Sequence, residues 1–76
     1  MEPSKAFGKV LRERRSASGL SQEKLALEAG LERVYISLLE RGQRQPTLTT
    51  LLKLAGPLAC DASDLVREAE ILCREE

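Results

Sequence analysis

The residues with the clearest chemical purpose lie between 33 and 41, RVYISLLER. Wound as a helix at roughly 100° per residue, the run puts Ile36 and Leu39 on one side together with Glu32. Arg33, Val34, Ser37 and Arg41 fall on the other side, with Leu38 at its margin. A face made only for water would carry Glu and Lys pairs. This one carries two guanidinium groups, a hydroxyl and a bare Val. Such groups read base edges: Arg forks onto guanine, Ser bonds to several bases, and Val lies against a thymine methyl. Arg33 is the foremost candidate for direct readout, and its competing role is a salt bridge to Glu28 or Glu32. Val34 and Leu38, four residues apart, form an outward apolar pair of the kind that marks contact with something. Thymine methyls are one partner; the preceding helix or another subunit is the alternative, above all for Leu38. Ser37 suits a base edge or a phosphate, and Arg41 suits a phosphate better than a base.

No other constellation competes. The chain has no His, no nucleophile beside a base, no clustered carboxylates and no phosphate-cradling glycine loop, so an enzyme is not expected. Cys60 and Cys73 lack the companions that a zinc site needs and read as small apolar fillers. No metal and no cofactor is expected.

The elements that must position the 33–41 face are legible on either side of it. Ser21 is a good N-cap for a short helix, although Lys24 stands where a capping box wants Glu. Leu25, Ala26 and Ala29 give that helix its apolar face, and Gly30 ends it. Gly42 stops the helix at 33–41. Upstream, a helix over about 4–18, capped by Ser4, carries Phe7, Val10, Leu11 and Arg14 at the i, i+3, i+4, i+7 spacing. Residues 1–3 are expected to fray. Downstream, the polar loop 42–46 can track a phosphate strand with Gln43, Arg44 and backbone amides. Thr47 caps a helix over about 48–58, whose Leu48, Leu51, Leu52, Leu54, Ala55 and Leu58 are expected to supply the largest share of the core. Pro57 should end or kink it near 55–56. A last helix starts at Asp61 or Ser63 and runs to about 73, with a stripe of Leu65, Val66, Ala69, Leu72 and Cys73.

Length and composition agree with this outline. Seventy-six residues make a single domain over 1–76 with a small core of about 3–5 kcal/mol, which dimerisation would reinforce. Leucine dominates, with one Phe, one Tyr and no Trp, which favours an all-helical bundle. No apolar run nears the roughly 20 residues that span a membrane. The opening Met1-Glu2-Pro3 does not begin a signal peptide, so a cytoplasmic protein is expected, with no membrane partner. Net charge is zero, yet residues 1–46 hold nine Lys/Arg against six Asp/Glu, while residues 47–76 hold three against six. The basic half contains the 21–41 helix pair, a polarity suited to one face turned toward phosphate.

Leu20-Ser21-Gln22, Leu25-Ala26, Gly30, Tyr35-Ile36-Ser37, Leu39-Glu40, Gly42 and Pro46 are densely and correctly spaced. In them the chain resembles the lambda-repressor-like (Cro, or XRE) helix-turn-helix family. The run LERVYISLLERGQRQP is most similar to the controller proteins of restriction–modification systems. The resemblance implies an all-α, compact five-helix domain whose helices 2 and 3 form the helix-turn-helix, over about 21–41. It implies a transcriptional regulator that reads double-stranded DNA through the major groove with helix 3. It implies that Gln22 bonds a phosphate, that Tyr35 reaches one through its hydroxyl, and that Arg44 contacts DNA. It also implies that Arg15 pairs with Glu40 as scaffold; Glu40, beside the inward Leu39, needs a partner in any case. Helix 5, about 62–73, is implied as a two-fold dimer contact through Leu65, Val66, Ala69 and Leu72. Such a homodimer reads an inverted repeat, with its reading helices about 34 Å apart. Arg14 stands where the family has leucine, and Pro57 is a second departure. The alternative function is a protein–protein adaptor that keeps the helix-turn-helix bundle without specific DNA binding, using Val34 and Leu38 as its contact.

Overall fold

The computed structural model describes residues 1–75, and the expected all-α, five-helix architecture is the one observed. The helices are α1 (Pro3–Ala17), α2 (Gln22–Ala29), α3 (Arg33–Glu40), α4 (Leu48–Ala55) and α5 (Ala62–Arg74). Three of them start with a polar side chain that accepts from a backbone N–H at the helix start. Ser21 Oγ takes the Lys24 N–H at 3.0 Å, Thr47 Oγ1 takes the Thr50 N–H at 3.1 Å, and Asp64 Oδ2 takes the Asp61 N–H at 2.9 Å. These are orphan donors that a helix start cannot satisfy from within.

α1 departs from expectation at its start. Pro3 is already helical, at a position where a missing N–H costs nothing. Met1 and Glu2 alone precede the helix. Ser4 is not the cap: it is buried, and its hydroxyl donates to Glu2 Oε1 at 2.7 Å.

The core draws on every helix: Phe7, Val10 and Leu11, then Leu25, Ala26 and Ala29, then Ile36 and Leu39, with Leu54, Leu58 and Leu65 closing it. Two expectations fail here. Leu48 and Leu52 are 71% and 62% exposed, because an eight-residue helix with Leu on several sides buries only one stripe. Leu65 lies at the centre of the core and is fully buried. Its own chain consumes it, so no partner subunit can reach it.

Arg14 does not pack as the leucine it replaces would. Its guanidinium binds Glu68 of α5, Nε to Oε1 at 3.2 Å with a second contact from Nη2 to Oε2. That bond raises the Arg14 pKa, against the opposing effect of burial. A charge pair therefore ties α1 to α5.

Four helices end in one way. The N–H two residues past the last turn reaches back five residues, as in Leu20 N to Arg15 O, Leu31 N to Ala26 O, Gln43 N to Leu38 O and Cys60 N to Ala55 O, at 2.9–3.1 Å. The first three place Gly19, Gly30 and Gly42 at positive φ; the fourth places Ala59 there, at φ 55°. Pro57 is absorbed in that last turn: Leu58 N still bonds Leu54 O at 3.2 Å, and Leu58 is buried.

Ala59 should be a site of stored strain, since an L side chain in this region costs about 1–2 kcal/mol. Glycine relieves it at some cost in unfolded-chain entropy. Ala59→Gly should therefore raise the melting temperature by roughly 2–6 °C. A circular-dichroism melt with no rise, or a fall, would show that the turn carries no such strain.

Candidate nucleic-acid interface

α3 is held from three sides and left open on the fourth. Ile36 and Leu39 are fully buried and anchor its inner side. Its C-terminal end presses on α1. A Cβ on Gly8 would stand 2.5 Å from the Leu39 carbonyl oxygen and 2.7 Å from that of Glu40, so only glycine permits this approach. Past the helix, a Cβ on Gly42 would meet Lys5 Cγ at 2.8 Å. Sequence reasoning missed Gly8, because a lone glycine inside a helix signals a close approach without naming the partner.

The third restraint is electrostatic. The Glu40 carboxylate is 4% exposed. Arg15 donates to both its oxygens, Nε to Oε2 at 2.6 Å and Nη2 to Oε1 at 3.0 Å. Arg15 Nη1 also donates to the Leu20 carbonyl at 2.9 Å. Gln22 Nε2 completes the set, donating to Glu40 Oε1 at 3.0 Å. One carboxylate thus gathers α1, the turn before α2, α2 itself and the end of α3. The bond to Glu40 raises the Arg15 pKa, against the lowering by burial, so the guanidinium keeps its charge. The Gln22 amide, expected at a phosphate, spends one N–H on this frame.

The open side of α3 carries Arg33, Val34 and Arg41, all exposed, with Ser37 half-buried among them. Val34 is 57% exposed. Among the described residues Arg33 pairs with no carboxylate; Glu28, one candidate, is paired with Lys24 at 3.6 Å. Arg41 folds back along its own helix, Nε to Ser37 O at 3.4 Å. Gln43 and Arg44 extend the open side into the loop, where Arg44 Nη1 holds the Gln43 carbonyl at 2.9 Å. Two expectations change, at Glu32 and Leu38. Glu32 is exposed, not inward, and makes no cap bond to α3. Leu38 is half-buried, so Val34 and Leu38 do not form an equal outward pair. Tyr35 is half-buried against the core, and its hydroxyl stands 3.2 Å from Thr50 Oγ1 at the start of α4.

An apolar surface lies elsewhere, in a groove between α4 and α5. Leu48, Leu51 and Val66 line it, with Arg67 and Glu70 at its rim. Of the residues expected in a dimer contact, Val66 is exposed here; Ala69 and Leu72 are half-buried against the core. Cys60 lines a separate depression beside Asp61 and Asp64; burial pushes its thiol up, away from reactivity. No helix among the described residues is long and apolar enough to cross a membrane.

A helix pinned on its inner side and offering cations and an apolar side chain outward defines a DNA-reading class of protein. The helix-turn-helix family pattern matches residues 11–65, and the chain belongs to this family of transcriptional regulators. Among its relatives, control protein C.BamHI of Bacillus amyloliquefaciens is 44% identical over 61 residues, which are 79% of this chain and 75% of that protein. Control protein C.SmaI of Serratia marcescens is 41% identical over 58 residues, 76% of this chain and 69% of that one. The crystal structure of the restriction–modification controller C.AhdI from Aeromonas hydrophila superposes with a TM-score of 0.79 at 48% identity, covering 82% of this chain and 94% of that one.

Removing Arg15 strands a nearly buried carboxylate with Gln22 alone. Arg15→Ala should cost about 3 kcal/mol, read as a lower urea midpoint at unchanged slope. A midpoint equal to that of the parent would mean that the pair does not stabilise the fold.

Proposed function

We propose that the chain is a homodimeric, sequence-specific DNA reader that works in the cytoplasm and controls a restriction–modification operon. The observation that carries this is the outward face of α3. Arg33 and Val34 are held out to solvent by a helix whose other sides are pinned by Ile36, Leu39 and Glu40. Preorganised donors of this kind lose little entropy on binding. Arg33 enters the major groove and forks onto a guanine. Val34 lies on a thymine methyl, and Ser37 bonds a base edge or phosphate. Arg41, Gln43, Arg44 and the remaining N–H of Gln22 hold phosphates and set register. Leu38 contributes at most its exposed edge. The similarity to control proteins supports the operon assignment.

The dimer is built on the α4–α5 groove. Leu48, 71% exposed, lines this groove beside Leu51 and the exposed Val66. A second copy covers the groove about a two-fold axis, so the DNA site is an inverted repeat. Leu65 takes no part.

Selection of bound sequences from random duplexes tests this reading, with the winner titrated at two salt concentrations. An inverted repeat should emerge, and binding should weaken with a log–log slope near −0.9 per phosphate. Arg33→Ala should then lose about 1–3 kcal/mol of discrimination at one position per half-site. Equal weakening on every sequence would make Arg33 a phosphate contact. No enrichment, or enrichment without salt dependence, would point to a protein adaptor instead.

Leu48→Glu should shift sedimentation from dimer to monomer and weaken operator binding at least tenfold, because half-sites then bind singly. A variant that still sediments as a dimer would place the interface elsewhere.

A further inference from the structure

We propose that Thr50, on α4, is a positioning residue for DNA reading, acting through the hydroxyl of Tyr35. This rests on the DNA-reading assignment above. Thr50 is a polar residue in a buried place, 6% exposed. Its backbone N–H caps on Thr47 Oγ1 at 3.1 Å, so its hydroxyl is not needed for the helix start. That hydroxyl instead lies between two others, 3.1 Å from Thr47 Oγ1 and 3.2 Å from Tyr35 Oη. Three hydroxyls therefore form a chain from the exposed cap of α4 to the side of α3. Tyr35 is the only tyrosine of the chain and the single aromatic residue of α3.

Each hydroxyl has one proton and two lone pairs, so the Tyr35–Thr50 bond can run in either direction. In one, Tyr35 donates inward to Thr50, and only its lone pairs are left for a ligand. In the other, Thr47 donates to Thr50 and Thr50 donates to Tyr35. The Tyr35 proton then points away from the core. Phosphate oxygens, guanine N7 and O6 and thymine O4 are acceptors only. Contact with any of them selects the second polarity, and a chain polarised toward the ligand makes its last O–H a stronger donor. Thr50 also restricts the phenol ring to one orientation, beside Arg33 and Ser37 in sequence and on the same short helix. Thr50 need not touch DNA to do this.

The test uses the selected operator and four chains: Thr50→Val, Thr50→Ser, Tyr35→Phe and the Thr50→Val/Tyr35→Phe double variant. Valine keeps the shape of threonine and removes the hydroxyl; serine keeps the hydroxyl. Thr50→Val and Tyr35→Phe should each weaken operator binding about 3- to 10-fold. The double variant should bind no more weakly than Tyr35→Phe, and Thr50→Ser should bind like the parent. Melting temperatures guard against a merely structural effect, which serine and valine would not separate in this pattern. As a readout without DNA, the NMR signal of the Tyr35 ring carbon that bears the hydroxyl should shift in Thr50→Val and return in Thr50→Ser. Should Tyr35→Phe weaken binding while Thr50→Val does not, or should the two losses multiply in the double variant, the positioning role falls and DNA reading stands. If the parent chain selects no duplex, both fall together.

Discussion

The fold hangs on one nearly buried carboxylate. Glu40 closes α3, and its two oxygens are taken by Arg15 from α1 and Gln22 from α2. A charge so removed from water is tolerable only when it is paired and hydrogen-bonded. That requirement fixes where three helices lie relative to one another. It also converts a residue at the end of the reading helix into a registration point. The helix cannot slide or roll without breaking a charged pair inside a small protein. Among the described residues no buried side-chain nitrogen or oxygen lacks a partner, so the frame is fully satisfied.

Backbone contacts reinforce that pin at the same end. Gly8 lets α1 reach the last carbonyls of α3, and Gly42 lets the following turn pass over Lys5. The outcome is a helix pinned along its inner side and at its C-terminal end, with Arg33 and Val34 projecting to solvent. A reading surface gains from such an arrangement, because its side chains are already ordered before they meet a ligand.

The polar and apolar surfaces are separated. Cations gather on α3 and the loop after it, in the half of the chain with excess Lys and Arg. Leu48 and Leu51 of α4 and Val66 of α5 line a groove elsewhere. Arg14 and Glu68 join α1 to α5, so the helix that bears part of the apolar groove is tied to the same α1 that holds α3. The groove and the reading face therefore belong to one continuous frame.

What the sequence determined by itself is local and periodic. Ser21 and Thr47 mark helix starts because a side-chain oxygen can reach an orphan N–H only there. Gly30 and Gly42 mark helix ends because the left-handed turn excludes most other residues. The 3.6-residue period places Ile36 and Leu39 inward and Arg33 and Val34 outward, and the spacing of these signals identifies the family. Tertiary structure decided the rest, because each remaining question concerns which of several equivalent surfaces a neighbour covers. Leu48, Leu52 and Leu65 are alike in the sequence. Only the placement of α5 and α1 buries the last and leaves the first two in water. Period alone drew Glu32 inward, whereas its position before the first turn of α3 leaves it exposed. Gln22, Tyr35 and Thr50 each have several allowed partners along the chain. Glu40 and the three-hydroxyl chain were chosen by helix crossings, a long-range geometry that no short window of residues encodes.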